Sequence, residues 1–178
     1  VAEADALAGQ IRERFWIPGS AGQPGYFALA LDGRKRLVDV VASNMAHLLW
    51  CDVASTAQAA EVAAHLVSDH MSSGWGLRTL STAAGGFNPI SYRLGSVWPH
   101  DTHLAIEGLR RYGHDDEAMR LADQLLAEGP ETGGGVGVGR VRCDLRAARA
   151  VVEVCAAGQV GRRQRPGMSM AAIRPCTS

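Results

Sequence analysis

Five separate stretches of this chain place apolar residues three and four positions apart, and that spacing restricts it to a helical fold more than any other feature does. Ala4, Leu7, Ile11 and Phe15 make the first stretch, and Leu37, Val41, Met45 and Leu48 the second. The third opens on Ser55, where Gln58 completes a capping-box pattern, and it sets Val62 and Leu66 on one face before stopping near Met71. The fourth follows Pro99, which suits a first helical turn. Asp101 complements the N-terminus of that helix, Leu104 and Leu109 lie along it, and Gly113 is a good C-terminal stop. The fifth starts near Asp115, is expected to bury Met119, Ala122, Leu125 and Leu126, and ends before Gly129. No stretch reads clearly as a strand. The spacing predicts an all-α fold of antiparallel helix pairs.

Residues 72–98 break the pattern, with Gly and Pro punctuation and no sustained helical period. Irregular connections longer than about 12–15 residues are uncommon in compact domains and are usually functional or disordered. Trp75, Phe87, Tyr92 and Trp98 supply too much burial for disorder, so the stretch reads as an ordered, site-forming loop. Aromatic faces stack on the C–H faces of sugars, while Arg, His, Asn and Asp side chains fix the direction of hydroxyls. Trp75, Arg78, Tyr92, Trp98, His100 and Asp101 would together make a carbohydrate-binding wall. A structural use is open as well, with Trp75 and Trp98 as core plugs and Arg78 clamping loop carbonyls.

A formal net charge of zero hides a division at Gly129. Residues 1–129 carry 10 Lys and Arg against 15 Asp and Glu, and residues 130–178 carry 8 Arg against 3 acids. All ten aromatics and all six histidines precede Pro130, while Cys143, Cys155 and Cys176 follow it. The expected organisation is one domain over 1–129 and an aromatic-free basic tail over 130–178, either disordered or an out-of-frame reading of a GC-rich gene. In that tail Gly134 and Gly139 have P-loop spacing, but Arg140 and Val141 stand where Lys and Ser or Thr are needed, so nucleotide binding is rejected.

Other constellations are weak. His65 and His70 are five apart, the His100/His103 pair has no nearby Cys, and the four cysteines form no C-x-x-C, so neither a metal nor a cofactor is expected. No G-x-S-x-G elbow marks Ser96 as a nucleophile. No apolar run approaches the ~18 residues that span a bilayer, and no basic segment precedes an apolar one. The expectation is a soluble, cytoplasmic chain without membrane or nucleic-acid partners and without disulfides.

Four ordered stretches carry a family resemblance: "SNMAHLLW" (43–50), "MSSGWGLRTLST" (71–82), "FNPISYRLGSVWPHDT" (87–102) and "GLRRYG" (108–113), with "GYFALALDG" (25–33) fitting as well. In that order they resemble the glucosidase domain of bacterial glycogen debranching enzymes, the amylo-α-1,6-glucosidase-like proteins. The resemblance covers nearly all of residues 1–129. It implies part of an (α/α)6 toroid, the six-hairpin glycosidase arrangement, whose inner-helix loops build a sugar pocket at one end. It also implies that Asn44, His47, Trp75, Arg78, Tyr92, Trp98, His100 and Asp101 line that pocket. The partner implied is an oligosaccharide or glycogen-like glucan, and the reaction is hydrolysis of α-1,6-linked glucose at branch points with inversion. The chain departs from the family at Arg93 and Leu94, where His and Asn are usual, and at Ala46, where Gly is usual.

Inversion needs a general acid and a general base about 6.5–9.5 Å apart across the sugar. Between Met71 and His100 there is no carboxylate, and Asp101 is the single catalytic candidate. The resemblance places the acid upstream of this segment and the base in a glutamate-bearing segment after residue 129. The chain alone is therefore expected to be inactive, and a non-catalytic helical module binding sugar or protein is the alternative. A toroid of about twelve helices represented by five would leave one side open, where self-association is expected.

Overall fold

The computed structural model describes residues 2–20 and 22–126. The tail expected over 130–178 lies outside them. Five helices lie among the described residues: α1 (Ala2–Arg14), α2 (Asn44–Trp50), α3 (Thr56–Leu66), α4 (Pro99–Arg111) and α5 (Asp115–Leu126). Two small antiparallel ribbons separate α1 from α2. In the first, β1 (Trp16–Ile17) pairs with β2 (Tyr26–Phe27). In the second, β3 (Ala30–Leu31) pairs with β4 (Leu37–Val38). The described residues form a mostly helical, partial six-hairpin-glycosidase-like arrangement of packed helix pairs, with short strands and no closed barrel.

The ribbons correct the sequence reading, which extended the second helix back to Leu37. Asp32 Oδ1 accepts hydrogen bonds from the Arg34 and Arg36 amides at 2.8 and 2.9 Å, and Lys35 adopts a φ of 62°. That turn reverses the chain and commits Leu37 and Val38 to pairing, and the β-branched run through Val38, Val40 and Val41 suits extended backbone. Helix α2 therefore begins only at Asn44.

Helix α3 begins as expected: Ser55 Oγ accepts from the Gln58 amide, and the Gln58 side chain accepts from the Ser55 amide. It ends at Leu66, short of Met71, because Ser68 Oγ donates to the His65 carbonyl and turns the chain. Met71 is instead a fully buried plug beyond the turn. Helix α4 ends in a left-handed Gly113, with the His114 and Gly113 amides returning to the Leu109 and Arg110 carbonyls.

The core is centred on α4, which packs on α2 at one side and α5 at the other. Met45, Leu49, Leu66, Leu77, Leu109 and Leu121 are among its fully buried side chains. Gly108 sets the distance between α4 and α2, since a Cβ there would lie 2.8 Å from Leu49 Cβ and 2.9 Å from the Trp50 amide. On α5 the buried stripe runs through Ala118 and Leu121, with Ala122 and Leu125 partly covered. Met119 and Leu126 are exposed, contrary to expectation, because they lie on the neighbouring stripe and no described element reaches it. Helix α1 buries no residue, and Leu7 is 57% exposed.

Candidate sugar-binding site

Residues 72–98 are ordered by backbone pairing rather than by a helix. Arg78 bridges Val97, Leu80 bridges Ala42, and Ser72 bridges Leu77. The Thr79 hydroxyl donates to the Ser96 carbonyl at 3.1 Å and accepts from the Gly95 amide at 3.0 Å, closing the loop on itself. Gly95 has a φ of 140°, and a side chain there would run into the Phe87 ring. The loop thus returns to the first turn of α4, anchored beside the start of α2.

At that junction Asp101 is the central group. Its Oδ2 accepts from the Ser43 hydroxyl at 2.7 Å, and its Oδ1 lies 3.6 Å from His47 Nε2. The latter separation is too long for a good hydrogen bond, so His47 acts on Asp101 as a charge partner when protonated. The Asp101 carboxyl is held below its ordinary value, first by His47, against the opposing cost of partial burial, and then by the Ser43 hydroxyl. His100 adds a smaller charge effect, and no carboxylate figures among the groups acting on it. With 15% of its side chain exposed, Asp101 is an ionised acceptor with a narrow opening to solvent. A general acid needs the opposite shift.

The aromatics stand ahead of that carboxylate. Tyr92 meets Trp98 edge to face with ring centroids 4.3 Å apart, and Trp98 Nε1 donates to Ser96 Oγ at 3.0 Å. Ser96 Oγ in turn donates to the Tyr92 carbonyl, so the pair is fixed. Trp98 is half-buried, whereas Tyr92 and Trp75 are 68% and 47% exposed, so both rings present surface to solvent. The Arg93 guanidinium lies over Tyr92 and that of Arg78 over Phe87, at 5.8 and 5.7 Å from the ring centroids.

The remaining expected residues divide. His47 joins the Asp101 cluster, and His100 is exposed on the same first turn of α4. Asn44 donates to the Leu29 carbonyl at 3.2 Å and lines an apolar cavity of about 180 Å³ with Ile11, Phe15, Ala28, Leu29 and Leu48. Asn44 Oδ1, His47 Nε2 and Arg78 Nε are buried without a hydrogen-bond partner, and Glu107 Oε1 is the fourth such atom among the described residues. Three of the four therefore belong to residues nominated from sequence.

Sequence reasoning passed over Ser43 and Thr79. Ser43 directly precedes α2 but makes no capping bond, and its hydroxyl donates to Asp101, 58 residues away. Thr79 gave no signal, since its role depends on a loop crossing that spacing does not reveal. Among the described residues no group of three His, Cys, Asp or Glu side chains could hold a metal ion, and no helix is long and apolar enough to cross a membrane.

Residues 2–135 match the family of the mannosylglycerate hydrolase MGH1-like glycoside hydrolase domain. The match spans well over half of the chain, and the chain belongs to that family. It gives a glycoside hydrolase domain of six-hairpin type without singling out a debranching glucosidase. No curated protein matches the chain.

Proposed function

We propose that this glycoside hydrolase domain supplies one wall of the sugar pocket of an inverting enzyme that removes α-1,6-linked glucose at branch points of a glycogen-like glucan. The observation that carries the reading is Asp101: an ionised carboxylate tethered by Ser43 and His47, on the same loop-to-helix junction as the exposed ring of Tyr92. A tethered carboxylate accepts from sugar hydroxyls, and an exposed aromatic ring takes the opposite, apolar side of the sugar. His47, Trp75, Arg78, Trp98 and His100 complete the wall, and Asn44 borders it. Asp101 binds and orients. The Met71–His100 stretch holds no carboxylate, so that loop gives Asp101 no partner with which to form an acid–base pair.

The full chain should then bind without turnover. Titration with a branched maltooligosaccharide is expected to quench tryptophan fluorescence saturably, and glucose release should stay at background, since each missing acid or base forfeits about 100-fold or more. Glucose release that Asp101→Asn abolishes would instead make Asp101 part of a catalytic pair.

Arg78 favours a second reading. Its Nε is buried without a partner in a loop that holds no acid, which suits an anionic aglycone such as the glycerate of the family's eponymous substrate. Tighter binding of mannosylglycerate than of the maltooligosaccharide, lost in Arg78→Gln, would select it.

A further inference from the structure

Trp75 presents a physical problem. It is 47% exposed, so burial does not hold its indole still, yet a stacking face is useful only if it stands in one place before the ligand arrives. It occupies the tip of a four-residue turn closed by the Ser72–Leu77 bridge. Within the turn, Ser73 Oγ accepts from the Trp75 amide at 3.1 Å and donates to the Gly76 carbonyl at 2.7 Å. Gly74 and Gly76 adopt φ values of 85° and 128°. These bonds shape the turn but do not fix it to the body of the protein.

The fixing comes from α5. Gln124 Oε1 accepts from the Gly76 amide at 3.2 Å and from the Ser72 hydroxyl at 3.0 Å, and Gln124 Nε2 lies 2.7 Å from Ser72 Oγ. One amide side chain therefore grips the turn on both sides of Trp75, from positions 48 and 52 residues away. The approach is close: a Cβ on Gly76 would lie 2.8 Å from Thr102 Oγ1 and 3.3 Å from Leu125 Cδ2. Thr102 follows Asp101 in α4, and its Oγ1 accepts from the Leu77 amide at 2.9 Å, so the turn is seated at the same end of α4 as the carboxylate.

We propose that Gln124 is a positioning residue, which clamps the 72–76 turn between α4 and α5 so that the Trp75 indole is a preset stacking face for sugar. The proposal rests on the sugar-binding reading above. Its sequence position, on a helix outside the loop, gave no sign of the role. Presetting one side chain before binding is a gain of roughly 3- to 10-fold in affinity.

The test uses the full chain labelled with 5-fluorotryptophan, with Trp75→Phe identifying the Trp75 signal among the four tryptophans. Gln124→Met removes the amide at similar length, Gln124→Glu keeps the accepting oxygens, and Ser72→Ala releases the same grip from the other side should Gln124→Met fail to fold. Without ligand, the Trp75 resonance should move in Gln124→Met, return towards its original position in Gln124→Glu, and leave the Trp16, Trp50 and Trp98 signals in place. An unmoved Trp75 resonance overturns the clamp. With a branched maltooligosaccharide, Gln124→Met should weaken binding roughly 3- to 10-fold, and the weakening should vanish in a Trp75→Ala background. Equal weakening in both backgrounds overturns the positioning role. Sugar that moves Trp98 but not Trp75 overturns the stacking face and leaves the sugar-binding reading standing. Sugar that moves no tryptophan signal overturns that reading as well.

Discussion

Asp101 carries the electrostatics of the site, and its behaviour with pH follows from the sign of one shift. Its folded-state pKa lies below the ordinary 3.8, so the ionised form is the one the fold favours. A depressed carboxyl contributes stability that is fully present above the unfolded value and is lost as pH falls through the folded one. The protein should therefore lose stability on acidification below about pH 4, and Asp101→Asn should flatten that loss. Denaturant unfolding at a series of pH values down to pH 3 measures both; identical acid limbs would show that the Ser43 and His47 contacts do not bias the titration. Asp101 was legible in the sequence because a carboxylate behind Trp98 and Pro99 is conspicuous. Its two partners were not. Ser43 fell within the helical stretch expected from Leu37 to Leu48, and nothing in a linear reading sets position 43 against position 101.

At the level of elements, the crossing of α2 and α4 sets the distance between Ser43, His47 and Asp101, and Gly108 sets the crossing. A methyl group at 108 would meet Leu49 Cβ, the Trp50 amide and the Ala46 carbonyl at 2.8 to 3.0 Å, and two of those three are backbone atoms that cannot turn aside. Gly108→Ala should cost about 1–3 kcal/mol by overpacking, although alanine is the better helix former by about 1 kcal/mol. Gly9, inside α1, provides the contrast. Nothing lies within 4 Å of a Cβ there, so Gly9→Ala should stabilise by up to about 1 kcal/mol through propensity alone. Thermal or denaturant unfolding of both variants reads the two signs; a stabilising Gly108→Ala would mean that α2 and α4 separate freely. The apolar spacing located α1, α3, α4 and α5 but misjudged which stripe of α5 is covered. It also ran a strand into α2, because Leu37, Val41, Met45 and Leu48 fit a helical period whether or not Asp32 turns the chain before them.

Across the whole molecule, stability is distributed unevenly. Helices α2 and α4 share the core, whereas α1 buries no residue and is tied to the rest through Arg12, which donates to the Val53 carbonyl and accepts from Gln58 Nε2, both at 3.2 Å. Hydrogen exchange should therefore show α1 opening locally with low protection, and α2 and α4 exchanging only near the global unfolding free energy. Protection of α1 equal to that of α4 at all concentrations would overturn this gradient. Protection of α1 that rises with protein concentration would identify its exposed Leu7 face as the site of the proposed self-association.

The sequence by itself determined the helical class, the capping of α3, the stop at Gly113 and the presence of an aromatic-rich loop, because each depends on residues within a few positions of one another. Its ordered motifs also pointed to a glycoside hydrolase, which the family match establishes for residues 2–135. The tertiary structure alone decided which polar groups meet. Ser43 with Asp101, Thr79 with Ser96 and Gln124 with Ser72 are joined by hydrogen bonds spanning 17 to 58 residues. A hydroxyl or amide side chain has no periodicity and tolerates many surroundings, so its partner is fixed only when packing of the apolar faces brings distant backbone together. The apolar spacing sets which segments fold, and the crossing of α2, α4 and α5 sets which polar atoms those segments present to one another.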